Sequence, residues 1–153
     1  MVNNVLYFLQ SVPEGIGIIA LSLAYARVSL RWKTIIVGGI LLSVLTFFIR
    51  SLPVTFGLHL VICIFVIFII IVKMTNVPGP KAVIAVFASV VTLALLEYVV
   101  SELVFTFMNL DPVTATADEV FWTKVGIIQA ILMIILALVF SRFYKPQPNG
   151  WRA

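Results

Sequence analysis

From residue 54 to 72 the chain carries no Asp, Glu, Lys or Arg. A helix of that length is about what is needed to cross the roughly 30 Å of hydrocarbon in a bilayer. Four more apolar stretches follow the same rule, so the sequence divides into five candidate helices at residues 5–26, 34–49, 54–72, 82–108 and 120–140. The second is the shortest and the third the most apolar. Composition agrees. Hydrophobic residues make up 63% of the 153 and charged residues 10%, against roughly 45–50% and about 25% in a soluble domain. So few charges cannot coat a water-soluble surface, which leaves lipid as the expected solvent. Five spans with short loops nearly exhaust the chain, so a single membrane domain over residues 1–153 is expected, with no soluble catalytic domain.

Backbone groups in lipid must pair within the protein, which favours helices or closed barrels. No strand-like alternation appears, so the expected class is all-α, a polytopic helix bundle. The connections carry turn chemistry. Leu52-Pro53 closes the second helix, and Asn76-Val77-Pro78-Gly79-Pro80 separates the third from the fourth. Thr116-Ala117-Asp118-Glu119 reads as a Thr-x-x-Glu capping box opening the fifth. The first stretch resembles a signal peptide in its Ala24-Tyr25-Ala26 ending, but no cation precedes it and Pro13-Glu14 interrupts it. It reads as a retained helix.

Orientation follows from Lys and Arg. Eight of the ten, Arg27, Arg31, Lys33, Lys73, Lys81, Arg142, Lys145 and Arg152, fall on one side of such a bundle; Arg50 and Lys124 fall on the other, with Asp111, Asp118 and Glu119. The expected topology is N-terminus outside and C-terminus in the cytoplasm. The net charge of +4 is thus topological. The lipid bilayer is the expected partner and nucleic acid is not.

An ionisable group at mid-span costs at least about 2.5–3.5 kcal/mol on insertion scales and usually faces protein or water. The candidates are Glu14, His59, Glu97 and Glu102, with Arg50 at the end of the second helix. Tyr7, Gln10, Glu14, Gly17, Leu21 and Tyr25 recur at helical spacing and form one face, expected to point into the bundle. Pro13 removes a backbone donor beside Glu14 and is expected to kink the helix there. The structural alternative is a packing kink and one hydrogen bond from a protonated Glu14. Glu97 and Glu102 sit about 140° apart around the fourth helix, so they form no paired-carboxylate site. They are expected instead to pack that helix on two neighbours. By depth, Arg50, His59, Glu102 and Glu97 suggest a polar cluster opening outward, a ligand-binding or gating site. Its structural alternative is a static ion-pair network.

Other signals point to packing. Gly39-x-x-x-Ser43 permits close helix contact, within or between chains. Gln129 shares a face with Gly126 and Met133 and reads as interhelical glue. Trp122, Tyr98 and Tyr144 suit interface or packing roles. His59 and Cys63 are spaced i, i+4, but two ligands make no metal site. One cysteine allows no intrachain disulfide. No nucleophile–base pair, phosphate loop or HExxH motif is present. Neither an enzyme activity nor a cofactor is expected.

Three segments carry a resemblance: Ser11-Val12-Pro13-Glu14, Arg31-Trp32-Lys33, and the run Ile49-Arg50-Ser51-Leu52-Pro53-Val54-Thr55-Phe56-Gly57-Leu58-His59. Together they resemble the N-terminal membrane region of a group of sensor histidine kinases from Gram-positive, often spore-forming bacteria. The resemblance extends over about residues 5–141 and implies a multi-helix sensor in the cell membrane. Such a sensor passes a stimulus to cytoplasmic dimerisation and ATPase domains. Residues 141–153 offer no phospho-accepting histidine, ATP site or dimerisation helix. The expectation is therefore a sensing module without kinase activity, with a membrane or cytoplasmic signalling protein as partner. A small transporter or channel component using buried carboxylates is a second reading. A structural assembly partner or homo-oligomer, joined through the Gly39/Ser43 face or the fourth helix, is a third.

Overall fold

The computed structural model describes residues 2–53 and 57–153. The described chain is all-α. Its helices are α1 (Val2–Tyr25), α2 (Trp32–Ser51), α3 (Leu58–Met74), α4 (Gly79–Met108), α5 (Pro112–Ala117) and α6 (Glu119–Phe143). The only pairing of strand type among the described residues is one isolated bridge between Thr75 and Trp151. Asn4–Tyr25, Trp32–Ser51, Gly79–Met108 and Glu119–Phe143 are long and apolar enough to cross a membrane; Leu58–Met74 is a shorter apolar helix. Residues 54–56, expected to open the third helix, lie outside the described residues.

The breakers act where backbone chemistry requires. α2 stops at Ser51, two residues before Pro53, and the Leu52 N–H closes it on the Ile49 carbonyl. Gly79 and Pro80 open α4, where a missing N–H costs nothing. α1 runs through Pro13 as one helix. Two local expectations change. The segment between α4 and α6, read as a loop, holds the short helix α5. The cap of α6 is Asp118, not Thr116: its carboxylate accepts from the Val120 and Phe121 N–H groups at 3.0 and 3.1 Å. Thr116 lies inside α5 and donates back to the Pro112 carbonyl. Asp118 takes the role because a carboxylate at N-cap reaches two orphan donors.

α1 is the axis of the bundle and packs on α2, α4 and α6. Glycine makes this close approach feasible. A methyl group at Gly39 would lie 2.8 Å from the Ile16 backbone nitrogen, and one at Gly15 would lie 3.0 Å from the Gly39 carbonyl oxygen. On the opposite side, a methyl on Gly17 would lie 2.9 Å from Met133 Cβ. Gly126 leaves room for the Gln10 side chain. Buried Ser43 donates to the Gly39 carbonyl at 2.8 Å. The Gly39/Ser43 face is therefore turned toward α1 of the same chain. Gln129 is buried on the face of α6 that carries Gly126 and Met133.

Pairing of Gly15 with Gly39 and of Tyr7 with Thr46 makes α1 and α2 antiparallel. Pairing of Gln10 with Gly126, Gly17 with Met133, and Tyr25 with Phe140 makes α1 and α6 parallel. The bundle thus has an upper end, where α1 begins and α2 stops. Its lower end holds the α1–α2 loop, the α3–α4 loop and the segment after α6. Apolar burial concentrates in the lower half, around Leu21, Ile35, Ile67, Ile71, Val86 and Met133.

Candidate functional site

Between their two contacts, Gly15 with Gly39 below and Tyr7 with Thr46 above, α1 and α2 face each other through small side chains, Ser11 and Ser43. The volume that larger residues would fill stays open. The result is a cavity of about 180 Å³ in the upper half of the bundle. α1 lines it with Tyr7, Gln10, Ser11, Glu14, Gly15 and Ile18; α2 adds Leu42, Ser43, Thr46 and Arg50. His59, Leu60, Cys63 and Ile67 come from α3, and Leu93 from α4. Ile18, Leu42 and Ile67 form a buried apolar floor, whereas Arg50 and Leu60 at the rim are exposed. The cavity therefore closes downward, and its exposed lining residues, Arg50 and Leu60, stand toward the upper end.

Its polar groups are unevenly satisfied. Thr46 Oγ1 donates to the Ser43 carbonyl at 3.0 Å, which uses its single proton, so Tyr7 O–H donates to Thr46 at 2.7 Å. The Arg50 guanidinium lies 5.5 Å from the centre of the Tyr7 ring, over its face, in an upper cluster with Phe8 and Phe47. Ser11 Oγ is buried without a hydrogen-bond partner. Among the described residues, Glu14 forms no hydrogen bond and no ion pair. A cavity whose wall holds an unpaired carboxylate and an orphaned hydroxyl has bonding capacity to offer a guest, because buried polar groups are normally paired.

The structure regroups the ionisable residues expected to cluster. Glu14, Arg50 and His59 meet in one cavity; Glu97 and Glu102 do not line it. Both are exposed on α4 rather than packed on neighbours. For Glu102 the reason is length. α3 has 17 residues and α4 has 30, and a short loop joins them at the lower end, so α4 runs on past the top of α3. Glu97 stands one turn above the cavity-lining Leu93. Gln10 and Tyr7 were legible in the stripe on α1. Ser11, Thr46 and the contribution of Cys63 were not, because isolated small polar residues in apolar helices usually bond their own backbone. No group of three metal-ligating side chains occurs among the described residues.

A second polar assembly went unanticipated. Residues 147–152 strap the lower end together. Gln147 N–H donates to the Arg27 carbonyl at 2.9 Å, Asn76 N–H to the Gly150 carbonyl at 2.9 Å, and Arg152 N–H to the Met74 carbonyl at 3.0 Å. Trp151 Nε1 donates to the Ser29 carbonyl at 2.8 Å, under the Arg31 guanidinium at 5.1 Å. Its ring abuts a small apolar gap lined by Leu23 of α1, Ile35 of α2 and Ile71 of α3. The lone tryptophan in a Pro-Gln-Pro-Asn-Gly context was the available signal.

No family model, curated protein or solved structure matches this chain.

Proposed function

We propose that this chain is a membrane-embedded sensing module that binds a small stimulus in the α1–α2–α3 cavity and passes its occupancy to another protein at the lower end. In this reading five helices span the bilayer, with the upper end outside and the lower end in the cytoplasm. α3, about 26 Å long at 1.5 Å per residue, spans at the short limit. α4, about 45 Å long, exceeds the hydrocarbon and carries Glu102 toward the headgroups. The observation that carries the reading is the cavity in the upper half of the bundle with Glu14 and Ser11 unpaired in its wall. Two features support it. Glu14, Arg50 and His59, which belong to the segments that carry the resemblance to sensor histidine kinase membrane regions, line the same cavity. Three of the four helices that line the cavity, α1, α2 and α3, also converge on Trp151 below, so a change in their spacing would reach the strap. Against a transport role, the lower half is sealed by Leu21, Ile67 and Ile71, each fully buried.

Cys63 is the chain's only cysteine and lines the cavity. A small membrane-impermeant thiosulfonate added to intact cells is expected to modify it, and the R50Q variant to change the rate. Modification confined to inverted vesicles would reverse the topology. Protection from both sides would remove the open cavity on which the reading stands.

A further inference from the structure

Glu14 and Arg50 divide the cavity by charge. Gly15 lies level with Gly39, so the helical rise sets the Cα atoms of Glu14 and Arg50 about 15 Å apart in height. Side chains on a helix lean toward its N-terminus. On α1 that direction is up, and on α2 it is down. The two groups therefore reach toward each other, and the place of the Arg50 guanidinium over the Tyr7 ring shows this lean. They do not meet: no ion pair joins them among the described residues. Between them lies Ser11, with its unpartnered hydroxyl. Ile18, Leu42, Ile67 and Leu93 form an apolar recess beside Glu14.

We infer that the ligand of this cavity is a small zwitterion of amino-acid type with an apolar side chain, an assignment that rests on the cavity reading above. In its ionised form, which an ammonium beside it would favour, Glu14 accepts and cannot donate, so it calls for a cationic donor deep in the site. The guanidinium of Arg50 donates only and calls for a carboxylate at the mouth. A lone amine would have to pass Arg50, and a lone acid would leave Glu14 uncompensated. A molecule with both charges and no net charge satisfies each end, and the Ser11 hydroxyl accepts a second ammonium proton. The cavity is of the order of the engineered ~150 Å³ cavity that admits benzene. That suits a side chain the size of leucine or methionine and excludes a folded peptide.

The test uses the full chain in lipid nanodiscs and isothermal titration with three probes: leucine, isoamylamine (leucine without its carboxylate) and 4-methylpentanoate (leucine without its amine). Leucine is expected to bind at least tenfold more tightly than either. R50Q should lose that tenfold for leucine while leaving isoamylamine binding no weaker; E14Q should weaken leucine and isoamylamine together. If E14Q does not fold, protection of Cys63 from the thiosulfonate in the unaltered chain takes its place, with leucine expected to protect at concentrations where the other two do not. Equal binding of the amine or the acid overturns the zwitterion. So does failure of leucine, valine and methionine alike to bind while Cys63 remains open to the reagent, and in that case the sensing reading survives. A Cys63 that no reagent reaches from outside removes the reading and this inference with it.

Discussion

Ser22 and Ser89 share a buried 2.6 Å hydrogen bond where α1 crosses α4. Each hydroxyl also lies 2.7 Å from a carbonyl of its own helix, Ile18 for Ser22 and Val86 for Ser89. With one proton apiece, one serine donates across the contact while the other donates to its own backbone. The pair fixes the α1–α4 register. Glu14 lies as far above Ser22 as Glu97 lies above Ser89, so the two carboxylates share a level, one facing the cavity and one exposed.

Ser89→Ala should weaken this contact modestly, because Ser22 keeps its bond to Ile18. Interhelical hydrogen bonds of this kind average about 0.6 kcal/mol, and a loss of that order is expected from reversible unfolding in mixed micelles. Ser89→Leu, which must find volume in a fully buried site, should cost several-fold more in the same assay.

Gly39 and Gly38 are neighbours with opposite tolerance. A methyl at Gly39 meets the Ile16 backbone, which cannot move without shifting α1; at Gly38 it meets only the tip of the Ile19 side chain, at 3.1 Å. Gly39→Ala should therefore cost about 1–3 kcal/mol as overpacking. Gly38→Ala should fall near zero. Equal effects in micelle unfolding would show that the α1–α2 crossing lies elsewhere.

The start of α6 distinguishes two caps. Asp118→Ala removes both accepted N–H bonds and should cost about 1 kcal/mol. Thr116→Ala, which loses only a bond to its own helix, should cost a few tenths at most. Hydrogen exchange at the Val120 and Phe121 amides is the direct readout, with protection lost in the first variant and kept in the second.

Trp151→Ala removes the bond to Ser29 and the contact with Arg31. The strap of residues 147–152 should then open. Chymotrypsin added to the lower face is expected to cut after Tyr144 many-fold faster, with the unfolding midpoint of the helical bundle little changed. Cleavage at the unaltered rate would mean that the backbone bonds of Gln147, Asn76 and Arg152 hold the segment without the indole.

Much of the fold was legible in the sequence because the solvent argument is strong. With so few charges, each long apolar run must become a helix, and Pro53 and the Pro78-Gly79-Pro80 cluster mark where two of them stop or start. The inward face of α1 was legible too, since Tyr7, Gln10, Glu14 and Gly17 repeat at helical spacing. Glu97 and Glu102 were misplaced because periodicity gives the angle between two residues on one helix but not the height of the neighbouring helix. Only the tertiary structure shows that both side chains are exposed and that α4 runs on past the described end of α3. The cap of α6 was misassigned because Thr116 and Asp118 both suit an N-cap, and the choice turns on α5, a helix too short to leave a periodic signal.

The sequence by itself determined the all-α class, the apolar runs long enough to cross a bilayer, and the placing of eight of ten cations at one end, because these follow from local composition and the cost of exposing backbone and charge. Tertiary structure alone decided which polar residues share a cavity. That choice depends on where Gly15 and Gly39 let two backbones touch and where Ser11 and Ser43 leave the space above them empty, and contact between residues distant in the chain leaves no trace in either segment read alone.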